Sequence, residues 1–347
     1  MNAVVIRTVI MVVLMFMVAA CGAQPEPTAT PAPTEDTGPS VAMLADVGGL
    51  EDGSFNTLTF AGLSAISSRR NLELIVEEAT DSTTYQQQIE GFAAEGHDVI
   101  VTVGFQMTEA TLAVAADNPD ISFIGIDQFQ AEEVTNITGI IFPDDEAGYL
   151  AGVLAANLTE SGIVGGVFGP QSVPPVAAFA GGYELGAQSV NPDIEVLIEF
   201  HPGGVDVGFN DIPWGGETAT AHMEAGADVV FAAAGDTGNG ALVAVANRAD
   251  EQDNLFCIGV DTDQWMTVTE ARPCLVTSAV KNIPQAVDAV IAQVLDGVQP
   301  PGNFVGPVGL ADFHDFENEI SDELAADLER IAAELIEGTL ETGYSPG

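Results

Sequence analysis

The chain has 347 residues, enough for about two domains of average size, and 47% of them are hydrophobic, which argues against global disorder. Its 7 basic and 52 acidic residues give a formal net charge of −45. A body this acidic disfavours binding to nucleic acid or to an anionic membrane surface, because both need positive charge. The negative electrostatic field of such a body also favours a neutral small-molecule ligand over a phosphorylated one.

The first residues are typical of an export segment. Arg7 precedes an apolar run at 8–18, and Val-Ala-Ala-Cys follows at 18–21. This pattern predicts a signal peptide at 1–20, and a Cys after two Ala resembles a bacterial lipobox with lipid on Cys21. The alternative is a transmembrane anchor, but the run is shorter than the roughly 20 residues that span a bilayer.

Residues 21–40 are rich in proline and small residues, which predicts an extended tether with no core of its own. A plain disordered N-terminus is the alternative. With lipid on Cys21, the protein is expected at the outer face of the cell membrane.

Short apolar runs alternate with helical patterns from residue 41 onward. The first half predicts a strand at 41–45, a helix at 55–69, a strand at 72–76, a helix at 84–95, a strand at 99–103, a helix at 108–117, strands at 121–126 and 137–142, and a helix at 144–158. The second half predicts strands, with helices between them, at 163–168, 194–199, 229–234, 256–260 and 275–280. Continuous apolar strands between helices predict a parallel sheet covered on both faces.

Two stretches echo each other, Gly-His-Asp-Val-Ile-Val at 96–101 and Gly-Ala-Asp-Val-Val-Phe at 226–231. Each opens the third predicted strand of its half, which favours two similar lobes. Open parallel sheets bind ligands outside the carboxyl ends of their strands. The residues predicted at such ends are Asp46, Gly104, Phe105, Asp127, Gly235 and Asp261.

Lys281 is the only lysine in the chain, and it ends a predicted strand. Its ammonium offers three hydrogen-bond donors, so we expect it to contact a ligand, with Asp261 nearby to accept from hydroxyls and to balance its charge. A structural ion pair at a crossover between the lobes is the alternative.

Cys257 and Cys274 lie in two apolar runs that favour neighbouring strands. A disulfide and a pair of buried thiols both fit this placement in an exported protein. Neither cysteine has the spacing of a zinc site.

Five stretches resemble the basic membrane protein family of bacterial substrate-binding lipoproteins, which includes the purine nucleoside receptors of ABC importers. They are Asp-Val-Gly-Gly-Leu-Glu-Asp-Gly-Ser-Phe-Asn at 46–56, the acidic helix start and Leu-Ala-Gly within 142–155, Phe-Ala-Gly-Gly-Tyr at 179–183, Ala-Gly-Asp-Thr-Gly-Asn-Gly at 234–240, and Ile-Gly-Val-Asp-Thr-Asp-Gln at 258–264 followed by Thr-Ser-Ala-Val-Lys at 277–281. They occur in the family's order and span about residues 41–310.

The resemblance implies the α/β type I periplasmic-binding fold, with two doubly wound parallel-sheet lobes joined by three crossovers. Lobe 1 would comprise 41–143 plus 282–308, and lobe 2 would comprise 144–281 plus 309–347. It also implies capture of a nucleoside, with a purine preferred, in the cleft between the lobes. A membrane permease and its ATPase would be the partners.

The resemblance further implies roles for single residues. Lys281 would contact the ribose side, Asn56 would read the base edge, and Phe55 would help to wall the pocket, with Asp127 placed similarly. Structural roles are the alternative: a core position for Phe55 and an N-cap at Ser54 for the first helix.

Phe209 matches the family's loop aromatic, which would stack on the base, and Trp214 close behind it is a substitute. Some relatives carry an aromatic near Leu50 that this chain lacks, and Phe105 is the candidate replacement, or else a core residue. The glycine-rich turn that starts at Gly235 fits a backbone contact to a sugar hydroxyl better than a phosphate cradle, since it matches no phosphate motif.

Signs of catalysis are thin, because the four histidines are scattered, no nucleophile-elbow or zinc-protease motif occurs, and carboxylate pairs carry little weight in so acidic a chain. We therefore predict a binding protein and not an enzyme, with no cofactor and no metal. Riboflavin and a free sugar are also candidate ligands, although ribose-type sites usually add an arginine that is missing at the matching strand ends. A ligand sensor that uses the same closure to signal to a membrane kinase is a second class of function. A third class is a glycoside or nucleoside hydrolase, which would turn its ligand over and which no motif supports.

Overall fold

The computed structural model describes residues 38–249 and 254–346. The predicted signal peptide at 1–20, the lipid on Cys21 and the tether up to residue 37 lie outside the described residues. Within the described part of the chain, the strands form two sheets of six strands each.

Sheet 1 contains the first five strands and one late strand. Its strands are β1 Ser40–Ala45, β2 Glu73–Glu78, β3 Val99–Val103, β4 Ser122–Ile126, β5 Ile137–Ile141 and β11 Asn303–Val305. One face is covered by α1 Phe55–Arg70 and α10 Ile283–Leu295, and the other by α2 Tyr85–Glu95 and α3 Thr108–Asp117. The strands pair in parallel in the order β11-β5-β4-β3-β1-β2.

Sheet 2 has the same strand order, except that its edge strand pairs antiparallel with its neighbour. Its strands are β6 Ile163–Phe168, β7 Glu195–Phe200, β8 Val229–Ala233, β9 Phe256–Asp261, β10 Leu275–Lys281 and β12 Val308–Leu310, in the order β12-β10-β9-β8-β6-β7. One face is covered by α4 Asp144–Leu158, α5 Pro174–Val190 and α11 Asp322–Ile336, and the other by α7 Ile212–Glu224 and α8 Gly235–Ala249. The short helices α6 Val205–Gly208 and α9 Gln264–Thr267 follow β7 and β9.

The chain passes between the two sheets three times. It crosses from β5 to α4, from β10 to α10, and from β11 to β12. The prediction of two doubly wound parallel lobes with three crossovers is therefore confirmed. We call sheet 1 with its helices lobe 1 and sheet 2 with its helices lobe 2, while the residue boundaries given above stay a prediction.

The central strands explain why the apolar runs are continuous. All five residues of β3 and all five of β8 are buried, because helices cover both faces of each sheet. The edge strands β2 and β7 instead have only half-buried and exposed positions and carry glutamates. Charge on an edge strand opposes pairing with a second molecule.

Helices α4 and α5 pack unusually closely through glycines four residues apart on each helix. A Cβ added at Gly148 or Gly152 of α4 would lie 2.3 or 2.1 Å from a carbonyl oxygen of α5. The same holds for Gly182 and Gly186 of α5, at 2.0 and 2.1 Å from carbonyl oxygens of α4. The two helices therefore form a rigid face under sheet 2.

Cys257 and Cys274 form a disulfide with a Cα–Cα distance of 5.1 Å. Cys257 lies in β9, and Cys274 immediately precedes β10, so the bond joins the starts of two paired strands. Both residues are buried. The sequence is compatible with a disulfide and with two free thiols, and the structure has the disulfide.

Candidate functional site

One cleft lies at the carboxyl ends of the strands, between the two lobes. With the solvent space at its open mouth included, its empty volume is about 680 Å³. All nine residues predicted for the site line this cleft: Asp46, Phe55, Asn56, Phe105 and Asp127 from lobe 1, and Phe209, Gly235, Asp261 and Lys281 from lobe 2. Their role as ligand contacts stays a prediction.

Parallel strands explain this convergence. Asp46, Phe105 and Asp127 follow β1, β3 and β4, while Asp261 and Lys281 end β9 and β10. Since all these strands run in the same direction within their sheet, their carboxyl ends meet at one edge. The three crossovers then bring the two edges face to face.

Lys281 is held in the cleft wall by two carboxylates, one from each lobe. Its Nζ donates to Asp127 Oδ2 at 2.6 Å and lies 2.8 Å from Asp144 Oδ1. Only 3% of the lysine surface is exposed, and both aspartates are buried. One ammonium proton therefore has a hydrogen-bond partner in Asp127, Asp144 adds an ion pair, and donor capacity remains for another acceptor.

Three aromatic rings complete the surroundings of the ammonium group. The ring centroids of Phe55, Phe142 and Phe179 lie 5.3 to 5.4 Å from Lys281 Nζ. Ring faces attract a cation, most strongly where water is excluded. Phe55 and Phe179 also line the cleft, so they have both a lysine contact and a cleft-facing surface.

Burial and charge shift the pKa values of this cluster. Burial alone would lower the pKa of Lys281, but Asp127, Asp144 and Asp261 outweigh it and raise that pKa above its usual value. Burial raises the pKa of Asp144 well above its usual range, although Lys281 opposes the shift. Burial likewise raises the pKa of Asp261 to about 7, again against the pull of Lys281.

A second network fixes the start of α1. Asp52 accepts hydrogen bonds from the backbone N–H groups of Ser54, Asn56 and Thr57 at 2.7 to 3.1 Å. A carboxylate there satisfies the free N–H groups of the helix end and its positive dipole. Ser54, predicted as the N-cap, makes no capping bond with its side chain, so Asp52 takes that role.

Asn56 is turned toward the protein in this structure. Its Nδ2 donates to Asp46 Oδ1 at 2.7 Å and to Asp52 Oδ2 at 3.1 Å, and its Oδ1 accepts from Asp46 N at 3.0 Å. Gln106 Nε2 adds a bond of 2.7 Å to Asp46 Oδ2. Asn56 therefore orients the two carboxylates, and its predicted contact to a base edge is not tested by this arrangement.

Aromatic surfaces face the cleft from both lobes. Phe105 of lobe 1 is 37% exposed, and Phe209 of lobe 2 packs its ring over Gly169, where an added Cβ would lie 2.5 Å from it. Gly235 has a φ of 56°, which allows α8 to start beside the backbone of Phe209. Trp214 does not line the cleft; its ring contacts His201 at 4.5 Å between centroids.

Sequence reasoning missed several residues of the cleft and its wall. The sequence pattern marks Asp144 only as an acidic residue in the first turn of α4, and its position directly after a crossover is the signal that could have identified it as a partner of Lys281. Phe142 and Phe179 are apolar residues next to apolar elements, so their sequence context is that of core residues. Asp52 and Asp236 also line the cleft.

Among the described residues, 38–249 and 254–346, no three His, Cys, Asp or Glu side chains are arranged to hold a metal ion. In the same part of the chain, no helix combines the length and the apolar character needed to cross a membrane.

The matching lobes, the three crossovers and the cleft between the lobes are the architecture of a two-lobed ligand-binding protein. A solved ABC transporter solute-binding protein from Aeropyrum pernix K1 superimposes with a TM-score of 0.78 at 24% identity, covering 88% of this chain and 93% of that chain. This likeness shows the fold alone and confirms that it is of the periplasmic-binding type I.

The family model described as "ABC transporter substrate-binding protein PnrA-like" (Bmp) matches residues 39–312. The "ABC transporter nucleoside-binding protein BmpA" of Lactococcus lactis subsp. cremoris is 29% identical over 277 residues, 76% of this chain and 77% of that protein. "Basic membrane protein B" of Borreliella burgdorferi is 30% identical over 292 residues, 80% of this chain and 82% of that protein. This chain belongs to the Bmp family of ABC transporter substrate-binding proteins, a family of extracytoplasmic solute-binding receptors.

Proposed function

We propose that this protein captures a nucleoside, with a purine base preferred, in the cleft between its lobes and delivers it to a membrane permease driven by an ATPase. The observation that carries the proposal is a cleft that combines aromatic surfaces, carboxylates and one amine. A relative in Lactococcus lactis that carries the name of a nucleoside-binding protein supports the same ligand class.

The polar side of the cleft suits a sugar with free hydroxyl groups. Asp127 Oδ1 is buried and has no hydrogen-bond partner, and such an oxygen is costly unless a ligand donates to it. Lys281 has an ammonium proton left to donate to a hydroxyl oxygen. Asp261, with its pKa raised to about 7, can both accept and donate at neutral pH.

The apolar side of the cleft suits a flat base. Stacking against an aromatic ring contributes about 0.5–1.5 kcal/mol beyond simple burial. Phe209 provides such a ring from lobe 2, and Phe105 and Phe55 provide surfaces from lobe 1. A base held between them would contact both lobes at once.

Contacts around the cleft support delivery by closure of the lobes. Asp206 of α6 accepts from the backbone N and the Oγ of Ser82 in lobe 1, both at 3.1 Å. Asn210 of lobe 2 donates to the carbonyl oxygen of Val47 in lobe 1 at 3.1 Å. A ligand that touches both lobes would stabilise this closed form, which the permease would then recognise.

The site of action follows from the export pattern. We place the body outside the cell membrane, tethered by lipid on Cys21. The Cys257–Cys274 disulfide is compatible with this, because disulfides persist mainly in oxidising compartments.

Metabolic labelling with a radioactive fatty acid, compared between the native chain and Cys21→Ser, tests the anchor: label on both proteins or on neither would exclude lipid on Cys21.

Calorimetric titration of the full-length protein in detergent, unfolded and refolded beforehand to remove bound ligand, tests the nucleoside proposal. The panel contains inosine, guanosine, adenosine, two pyrimidine nucleosides, riboflavin, ribose and a nucleoside monophosphate. We expect one-to-one binding of a purine nucleoside, weakened in Lys281→Ala and Phe209→Ala and unchanged in Arg330→Ala on the exposed face of α11.

Different results would point to different functions. A response to riboflavin or ribose with none to nucleosides would refute the nucleoside proposal and leave the fold and the solute-binding class intact. Chemical conversion of the bound nucleoside, followed by chromatography, would indicate a hydrolase. Normal nucleoside uptake by cells that lack this protein would argue against delivery to a permease.

A further inference from the structure

A short motif occurs at the same place in both lobes. Ile-Gly-Ile-Asp-Gln at 124–128 ends β4, and Ile-Gly-Val-Asp-Thr-Asp-Gln at 258–264 ends β9. Both strands are third from the edge formed by β11 or β12 in their sheets. In each copy a glycine lies two residues before the aspartate that lines the cleft.

Both cleft aspartates have a left-handed backbone. The φ of Asp127 is 56° and that of Asp261 is 62°. A residue with a Cβ rarely adopts this conformation, and it persists only where the surroundings fix it. Something next to each aspartate must therefore hold the chain in this turn.

In lobe 1 that neighbour is Gln128, which is fully buried. Its Nε2 donates to Thr102 Oγ1 at 2.9 Å and to the carbonyl oxygen of Gly104 at 3.1 Å, so the side chain folds back under β4 toward β3. It occupies the space where Gly125 lacks a side chain: a Cβ added there would lie 2.4 Å from Gln128 Oε1 and 2.7 Å from its Cβ.

In lobe 2 the neighbour is Gln264, which is 1% exposed. Its Oε1 accepts from the backbone N–H of Val260 at 2.9 Å, directly before the aspartate, and its Nε2 donates to Asn239 Oδ1 at 2.8 Å. A Cβ added at Gly259 would lie 2.5 Å from Gln264 Oε1. The two glutamines thus fill equivalent spaces.

We propose that Gln128 and Gln264 are positioning residues that lock Asp127 and Asp261 in their left-handed turns, so that Asp127 stays on Lys281 and both residues stay in the lining of the cleft. The proposal deepens the proposed function and rests on it for the identity of the ligand. Each glutamine uses the gap beside a strand glycine, which explains why the glycine and the glutamine occur together in both lobes.

The link from Gln264 reaches across the cleft. Asn239, its partner, also donates to the carbonyl oxygen of Asp52 in lobe 1, at 3.4 Å. Asp52 in turn bonds Asn56, which orients Asp46. Loss of the Gln264 amide is therefore expected to affect the closed form as well as the turn at Asp261.

The variants Gln128→Leu and Gln264→Leu keep most of the side-chain volume and remove its hydrogen bonds. The matched control is Gln86→Leu on the exposed face of α2. With inosine as the probe, we expect each test variant to bind about tenfold more weakly, equivalent to about 1.4 kcal/mol, and the control to bind like the native protein.

A second measurement separates positioning from general loss of packing. Protein labelled at the aspartate carboxyl carbons is titrated by NMR without ligand, with the Asp261 signal identified by its loss in Asp261→Asn. Burial is the main reason that the pKa of Asp261 is raised. If Gln264 holds this carboxyl in place, Gln264→Leu should release the turn, expose the carboxyl to water and lower its pKa toward the ordinary value, while Gln86→Leu should leave it unchanged.

The outcomes are distinct. Unchanged inosine affinity together with an unchanged Asp261 pKa in Gln264→Leu overturns the positioning role. If the native protein binds no nucleoside, the proposed function fails, and the titration still decides the role of Gln264. If the leucine variants do not fold, Gln264→Asn replaces Gln264→Leu in the titration, since its amide is one methylene shorter and does not reach Val260 N–H, and it should lower the Asp261 pKa in the same way.

Discussion

The substitution Lys281→Met removes one charge from the centre of the cleft wall and changes little else. Methionine is unbranched like lysine and packs well against aromatic rings, three of which surround the ammonium group. The change leaves Asp127 and Asp144 buried without their common partner. The free energy of unfolding should therefore decrease because two buried carboxylates lose the positive charge that compensates them.

Breaking a buried ion pair by removal of one partner costs about 3–5 kcal/mol. For a protein of this size, each kcal/mol corresponds to roughly 2 °C in Tm, so we expect a decrease of about 6–10 °C near neutral pH. The matched control Arg330→Met removes an arginine that pairs with Asp327 and Glu334 on the exposed face of α11. Solvent screens such exposed pairs and leaves them with little effect on stability, so its Tm should change by at most about 2 °C.

The Tm difference between the native protein and Lys281→Met should also depend on pH. Burial already raises the folded-state pKa of Asp144 above its unfolded value of about 3.9, and without the opposing charge of Lys281 it rises further, so protonation stabilises the folded form. That stability is present at low pH and is lost as the pH rises through the folded pKa. The Tm difference between the native protein and Lys281→Met should therefore be larger at about pH 8 than at about pH 5.

Calorimetric melting of the three proteins at both pH values is the assay. The double substitution Lys281→Met with Asp144→Asn should recover part of the lost Tm at the higher pH, since one buried charge is then absent. A decrease of less than about 2 °C, or an equal decrease at both pH values, would refute the reasoning that the lysine is a buried ion-pair partner.

Three further predictions concern stability. Burial raises the pKa of Asp261 to about 7 in the folded protein, so this carboxyl stabilises the fold below its unfolded-state pKa and the stabilisation is lost as the pH rises through about 7. The Tm of Asp261→Asn should therefore fall less steeply than the native Tm across this pH range. Substitution of Cys257 and Cys274 by serine should cost about 3 kcal/mol, given the 17-residue separation, and reducing agent should lower the native Tm similarly while leaving the variant unchanged. Gly152→Ala should lower the free energy of unfolding by at least about 1–3 kcal/mol, because the added Cβ would lie 2.1 Å from a carbonyl oxygen of α5. The control Gly91→Ala on α2, where nothing lies within 4 Å, should leave that free energy unchanged or raise it, and chemical denaturation measures both.

The sequence was sufficient for the regular part of the fold. All ten predicted strands are present within one or two residues, because a strand covered on both faces is a continuous apolar run that ends where the chain turns. The late strands β11 and β12 have three residues each, too few to carry a periodic pattern. Their positions depend on pairing with β5 and β10, which is a tertiary contact.

The site was predictable in its strand-end members and not in its details. Lys281 is identifiable from the sequence as the only lysine, but its partners depend on how the crossovers fold. The sequence predicts that Asp261 balances its charge, whereas the crossovers bring Asp127 and Asp144 within ion-pair distance of it. The amide of Asn56 shows the same limit. Local pattern places it at the cleft, and only the neighbouring carboxylates determine which way it points.

The burial of the only lysine side chain has a practical consequence for chemical labelling. In the closed form, carboxylates and aromatic rings enclose Nζ of Lys281 and shield it from reagents that acylate primary amines. Separation of the lobes would remove the lobe 1 groups, Asp127 and Phe55, from around it. The rate at which this one amine is acylated would then record how often the cleft opens, with no engineered reporter group in the body of the protein.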